Sequence, residues 1–182
     1  MRRIVILGNA GSGKSTLARR LGERLGLPVV HLDALFWQPG WVEPDNEGFR
    51  DRVCAALAGG AWVSDGNYVR RTFDLRLPSA DLVIWLDTPR PLCLWRVIAR
   101  TVQGGRRRDL AEGCEERIDA QYLEFLRYTW DYDRKYRPRI EAARAAMAPG
   151  APVVHLRNRR EIEAFLASTG SPASPPGAPR DR

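Results

Sequence analysis

The chain has 182 residues, enough for one domain with a sizeable core. With 44% hydrophobic and 28% charged residues it is globular in composition. It contains no run approaching the ~18 apolar residues of a membrane-spanning helix, which excludes such a helix. The formal charge of +7 admits a nucleic-acid partner, but arginines gathered around a small polyanion give the same balance, so charge alone does not choose.

Taken in order, Arg3 to Leu7 is a short apolar run of the kind that forms a buried parallel strand. A glycine-rich loop follows. Leu17, Leu21 and Leu25 then recur at four-residue spacing, with Gly26 placed to end that helix. Pro28 to Leu32 reads as a second strand closing on Asp33, and the aromatic stretch Ala34 to Trp41 is broken by Pro39-Gly40. A helix beginning at Asp45 or Asn46 carries Phe49, Val53, Cys54 and Leu57 on one face and stops at Gly59-Gly60. A third strand, Ala61 to Ser64, ends in Asp65-Gly66-Asn67-Tyr68, and a short helix from Arg70 to Leu77 stops at Pro78. Asp81 to Asp87 is the most hydrophobic strand and is expected at the centre of the sheet.

Thr88-Pro89-Arg90-Pro91 opens a helix whose expected inner face is Leu94, Trp95, Ile98 and Val102. Gly104-Gly105 breaks it ahead of Arg106-Arg107-Arg108. A polar hinge leads to a long amphipathic helix with Ile118, Tyr122, Phe125 and Leu126, which Pro138 is expected to interrupt. Pro152 to Leu156 is a fifth strand, Ile162, Phe165 and Leu166 mark a last helix, and the chain from Ser168 onward has the composition of a disordered tail. Cys54, Cys93 and Cys114, an odd number without paired spacing, read as reduced thiols of a cytosolic protein, the first two in helix cores. His31 and His155 are too few and scattered for a metal site and read as strand-end residues.

The loop after the first strand carries the chemistry. Gly8-Asn9-Ala10-Gly11-Ser12-Gly13-Lys14-Ser15-Thr16 fits G-x-x-x-x-G-K-[ST], a phosphate-binding loop set between strand and helix as the motif requires. Its glycines bring backbone N–H groups up to a phosphate, and the following helix adds unpaired N–H groups and a positive dipole end. Lys14 reaches the β- and γ-phosphates of ATP and the Ser15 hydroxyl is a ligand for Mg²⁺. Of 29 Lys and Arg residues only Lys14 and Lys135 are lysine, so a chain that writes its cations as arginine keeps a compact ammonium here.

Five strands alternating with helices imply a parallel sheet covered on both faces, whose ligands bind beyond the carboxyl ends of the strands. Gly8, Asp33, Asp65 and Asp87 all fall at those ends. There is no N-K-x-D guanine-reading sequence and no L-S-G-G-Q signature, which sets aside Ras-like GTPases and transporter ATPases.

What remains resembles the nucleoside monophosphate kinase group of P-loop proteins. Asp65-Gly66 is similar to the start of the D-G-F-P-R segment of adenylate kinases, with Asn67-Tyr68 in place of Phe-Pro, and Arg96 and Arg100 match the R-x-x-x-R leading into that group's lid. The chain more closely resembles the small adenylate-kinase-related proteins called topology-modulation or FlaR-type, through His31-Leu32-Asp33, Trp62 to Tyr68, Ile84 to Pro89 and Glu112 to Arg117.

The resemblance implies a five-stranded α/β sheet of order 2-3-1-4-5 and one kinase-like domain over residues 1–167, with a small helical lid at about 101–137 and a tail at 168–182. It also implies ATP-dependent, Mg²⁺-requiring transfer of the γ-phosphoryl group to a small acceptor: a nucleotide, a nucleoside or another hydroxylated metabolite. The alternative is a nucleotide-dependent DNA-binding regulatory protein. Within the kinase reading, residues Gly8 to Thr16 hold the nucleotide, and Lys14, Arg96, Arg100, Arg106, Arg107 and Arg108 neutralise the transferring group. Ser15 and Asp65 hold Mg²⁺, Asp65 being otherwise a turn aspartate before glycine. Asp33 either orients and deprotonates the acceptor or caps the next helix, Asp87 is expected to cap its helix, and Trp37 and Trp41 either pack or stack on the acceptor.

Overall fold

The structure is a computed structural model that describes residues 1–104, 113–114 and 118–170. Arg106, Arg107 and Arg108 lie outside the described residues, as does the chain from 171 onward. Strands β1 (Arg3–Gly8), β2 (Val29–His31), β3 (Trp62–Asp65), β4 (Leu82–Leu86) and β5 (Val153–Leu156) form one parallel sheet in the order β2-β3-β1-β4-β5. The order and the parallel pairing are those expected.

Alternation along β1 explains how the sheet is covered. Ile4 and Ile6 face one side and pack with Leu17, Leu21 and Leu166 from helices α1 (Lys14–Leu25) and α8 (Arg159–Ser168). Val5 and Leu7 face the other and pack with Phe49, Val53, Phe73, Leu77 and Ile140. These come from α3 (Asn46–Leu57), α4 (Val69–Arg76), the turn after α4, and α7 (Arg137–Met147). β1 and β4 are apolar on both faces, contributing alternate residues to the two clusters, which is why they read as unbroken hydrophobic runs.

Several local expectations change. Strand β2 ends at His31, and Leu32–Phe36 form a short helix, α2, so Asp33 sits in a first helical turn rather than at a strand end. Helix α5 (Arg90–Gln103) buries Cys93 and Val97, while Trp95 and Val102 are 64% and 73% exposed. The bulky set faces outward because the inner face lies against the phosphate loop, where a Cβ on Gly11 would come within 2.4 Å of the Cys93 carbonyl oxygen.

Cys54 is exposed rather than in the core of α3. Ile118 is exposed ahead of α6 (Ala120–Asp131), and Pro138 does not break the helix. A π-helical turn over Tyr132–Tyr136 links α6 to α7, and Pro138 follows it directly, in the first turn of α7. At the end of the described chain, Ser168 closes α8 and the Thr169 carbonyl accepts from Arg24 Nε at 2.6 Å, so both residues belong to the fold.

Candidate active site

The phosphate loop closes on itself at the carboxyl end of β1. Gly8, Gly11 and Gly13 have φ of 146°, 71° and 101°, and Gly11 and Gly8 also lie too close to the Cys93 and Leu86 carbonyls for any side chain. Lys14 Nζ donates to the Gly8 and Asn9 carbonyl oxygens at 3.1 and 2.8 Å, which holds the ammonium over the loop. Arg96 reaches down from α5 to the Gly11 and Ser12 carbonyls at 3.3 and 3.4 Å, and Thr88 Oγ1 donates to the Ser12 carbonyl at 3.1 Å. Arg100, one turn further along α5, lines the same cleft.

Parallel register brings the next group together. Asp65 pairs with Ile6 of β1 on one side and with His31 of β2 on the other, so the ends of β1, β2 and β3 are adjacent. Asp65 is 4% exposed. Its Oδ2 accepts from Ser15 Oγ at 2.7 Å and its Oδ1 from His31 Nδ1 at 2.6 Å. A hydroxyl and a carboxylate oxygen side by side at a phosphate loop are hard donors of the kind Mg²⁺ takes. Among the described residues no group of three or more His, Cys, Asp or Glu side chains could hold a metal. The pair therefore suits an ion that takes its remaining ligands from phosphate and water.

Four side chains hold this arrangement through contacts that the sequence reading did not foresee. Asn67 accepts from the Gly8 N–H at 3.3 Å and donates to the Gly8 carbonyl at 3.0 Å and to Tyr128 Oη at 3.4 Å, clamping the β3 turn to the phosphate loop and to α6. Asn9 Nδ2 donates to the Thr129 carbonyl at 2.8 Å, just before the π-helical turn widens the helix ladder. His31 orients Asp65. Arg76, fully buried, donates to Ser64 Oγ, Thr72 Oγ1 and the Gly66 and Asn67 carbonyls at 2.9–3.2 Å.

Burial pushes the Arg76 guanidinium down to about 9, partly offset by the charge of Asp65, so it remains a cation at neutral pH. Replacing Arg76 by Met strips donors from several buried acceptors at once. We expect a loss of at least about 3 kcal/mol of stability, read as a lower urea midpoint with an unchanged slope.

Asp33 and the aromatics close the far end of the cleft. Tyr68 Oη donates to Asp33 Oδ1 at 2.8 Å, and burial, with Asp33 beside it, holds the phenol well above the usual tyrosine range. Trp37 and Trp41 pack edge to face, ring centres 5.2 Å apart, and both line the cleft. Asp87 does not cap α5, whose first turn has no side-chain cap. It accepts from His155 Nδ1 at 2.8 Å and pairs with Arg137 at 2.7 Å, tying α7 to the β4 and β5 ends. The cleft as a whole is about 1650 Å³, more than the ~300–1,000 Å³ of one small-molecule pocket, so it has room for two substrates side by side.

A single parallel sheet with a phosphate loop after β1 and an acidic residue at the end of β3 is the P-loop kinase fold. The shikimate kinase from Acinetobacter baumannii, solved in complex with shikimate, superposes with a TM-score of 0.52 at 19% identity over 92% of this chain and 89% of its own.

In sequence, the chain is 27% identical over 148 residues to the adenylate kinase of Kocuria rhizophila, covering 65% of this chain and 78% of that one. It is 35% identical over 113 residues to the shikimate kinase of Bradyrhizobium diazoefficiens, covering 54% of this chain and 55% of that one, about half the relative's length. No protein-family model matches the chain.

Proposed function

We propose that this protein is an ATP-dependent, Mg²⁺-requiring kinase that transfers the γ-phosphoryl group to a hydroxyl of a small acceptor. Through its sequence motifs, Trp62 to Tyr68 and Ile84 to Pro89 among them, it resembles the adenylate-kinase-related, topology-modulation type. The observation that carries the reading is the Ser15–Asp65 contact of 2.7 Å at the mouth of the phosphate loop, with Asp33 one strand farther out in the same cleft. The similarity to adenylate and shikimate kinases supports it.

In this reading the loop N–H groups and Lys14 bind the β- and γ-phosphates. Ser15 and Asp65 would hold Mg²⁺, which would supply positive charge against the nucleotide phosphates. Arg96 and Arg100, with Arg106, Arg107 and Arg108, offset the charge that spreads over the transferring group. Asp33 faces the acceptor. As the acceptor oxygen bonds to the γ-phosphorus, the bond from that phosphorus to the bridging oxygen breaks, ADP leaves, and the hydroxyl proton passes to the Asp33 carboxylate. Tyr68 keeps one Asp33 oxygen engaged and so fixes the direction of the other.

The test is ADP release at fixed MgATP with panels of nucleosides, nucleotides and hydroxylated metabolites, and with duplex DNA. Acceleration by a small hydroxylated compound, lost when Mg²⁺ is chelated, is the expected result. Acceleration by DNA alone would replace this reading with the regulatory one.

A further inference from the structure

Among the described residues, two other than glycine hold a left-handed backbone: Trp41 with φ 62° and Tyr68 with φ 36°. For bulky side chains this conformation costs on the order of 1–3 kcal/mol each and persists where the surroundings enforce it. Both residues are aromatic and both line the cleft. Tyr68 reaches it by donating to Asp33, and Trp41 by packing on Trp37 across the Gln38–Val42 bridge. The core does not require Trp41, whose ring belongs to neither hydrophobic cluster. Phe125 and Tyr128 add two further rings to the cleft.

An aromatic wall of this kind suits a flat heterocycle, whose π-face adds ring stacking to the area it buries. A polyhydroxylated or carboxylated alicyclic acceptor gains less from it, having only C–H faces to offer and polar groups to desolvate. Asp33 stands beside the wall, and a carboxylate there repels an acceptor whose attacking atom is a phosphate oxygen but accepts the proton of a hydroxyl.

Resting on the kinase reading above, we propose that Trp41 and Tyr68 form the ring-binding subsite of the acceptor and that the acceptor is a nucleoside, a flat heterocycle bearing a free hydroxyl. The strained backbone holds the Trp41 ring at the cleft, and Asp33 receives the hydroxyl.

The test compares adenosine and cytidine with ribose, adenosine monophosphate and shikimate, both as acceptors by ADP release and as ligands by calorimetry without ATP. Trp41→Gly and Trp41→Phe are the variants. Glycine suits the left-handed backbone and deletes the ring, so a purely structural Trp41 and a ring-binding Trp41 give different results.

We expect a nucleoside to bind and turn over at least tenfold better than ribose, the monophosphate or shikimate. We also expect Trp41→Gly to keep its melting temperature within a few degrees while weakening nucleoside binding about tenfold or more, with MgATP affinity unchanged and Trp41→Phe largely restored. Preference for the monophosphate, ribose or shikimate overturns the proposal, as does undiminished nucleoside affinity in Trp41→Gly. Nucleoside binding that depends on Trp41 but yields no ADP keeps the ring subsite and removes the kinase reading instead.

Discussion

Lys14→Ala lowers phosphoryl transfer from ATP by at least about 100-fold, the scale on which removal of one preorganised charge donor acts in a water-excluded site. Lys14 is the ammonium closest to the loop, drawn over it by the Gly8 and Asn9 carbonyls. Neither contact reaches the hydrophobic core, whose β1 portion is Ile4 to Leu7. The variant therefore remains folded, with a melting temperature close to the parent, and the loss lies mainly in kcat because the charge to be offset grows in the transition state. The two measurements together separate a catalytic lysine from a structural one. Loss of folding alongside loss of turnover would assign Lys14 to the architecture of the loop.

The two carboxylates are expected to fail in different ways. Asp65→Asn weakens Mg²⁺-dependent ATP binding, because Asp65 Oδ2 adjoins Ser15 Oγ and no other described carboxylate adjoins that hydroxyl. Asp33→Asn leaves MgATP binding nearly intact and lowers acceptor-dependent turnover by roughly 10²-fold or more, the range of a lost general base. The sheet order supports this division. Strand β3 lies between β1 and β2, so Asp65 stands next to the phosphate loop and Asp33 one strand beyond. Titration of ATP with and without Mg²⁺, followed by acceptor kinetics, reads both effects. If Asp33→Asn loses metal-dependent ATP binding while Asp65→Asn retains it, the roles are exchanged.

Much of this was legible in the residues. The glycine loop announces itself because close approach of backbone to phosphate tolerates few other residues. The apolar runs of β1 and β4 show strands buried on both faces. Asp65 could be singled out because it precedes a glycine at the end of a strand.

Other features depend on neighbours far apart in the chain. Asn67 clamps Gly8, Arg76 holds the turn from beneath, and Asn9 meets the Thr129 carbonyl across 120 positions. No local pattern marks such contacts. His31 reads from sequence as a strand-end histidine, yet register sets it opposite Asp65. A histidine and an aspartate that each close a neighbouring strand were the available signal. The bulky stripe of α5 faces outward against expectation because hydrophobic periodicity reports that a face exists but not which neighbour it meets. The inner face had to be slim to approach the loop, so Cys93 and Val97 occupy it. The expected cap at Asp87 failed because two partners, His155 and Arg137, compete for its oxygens.

The most direct test of the central claim follows the label of γ-³²P-ATP in the presence of Mg²⁺ and a mixture of small hydroxylated acceptors, with products separated by chromatography. The account predicts label on an organic acceptor with the wild-type chain and none with Lys14→Ala. Label that stays in ATP, or appears only as inorganic phosphate whatever acceptor is supplied, would contradict it.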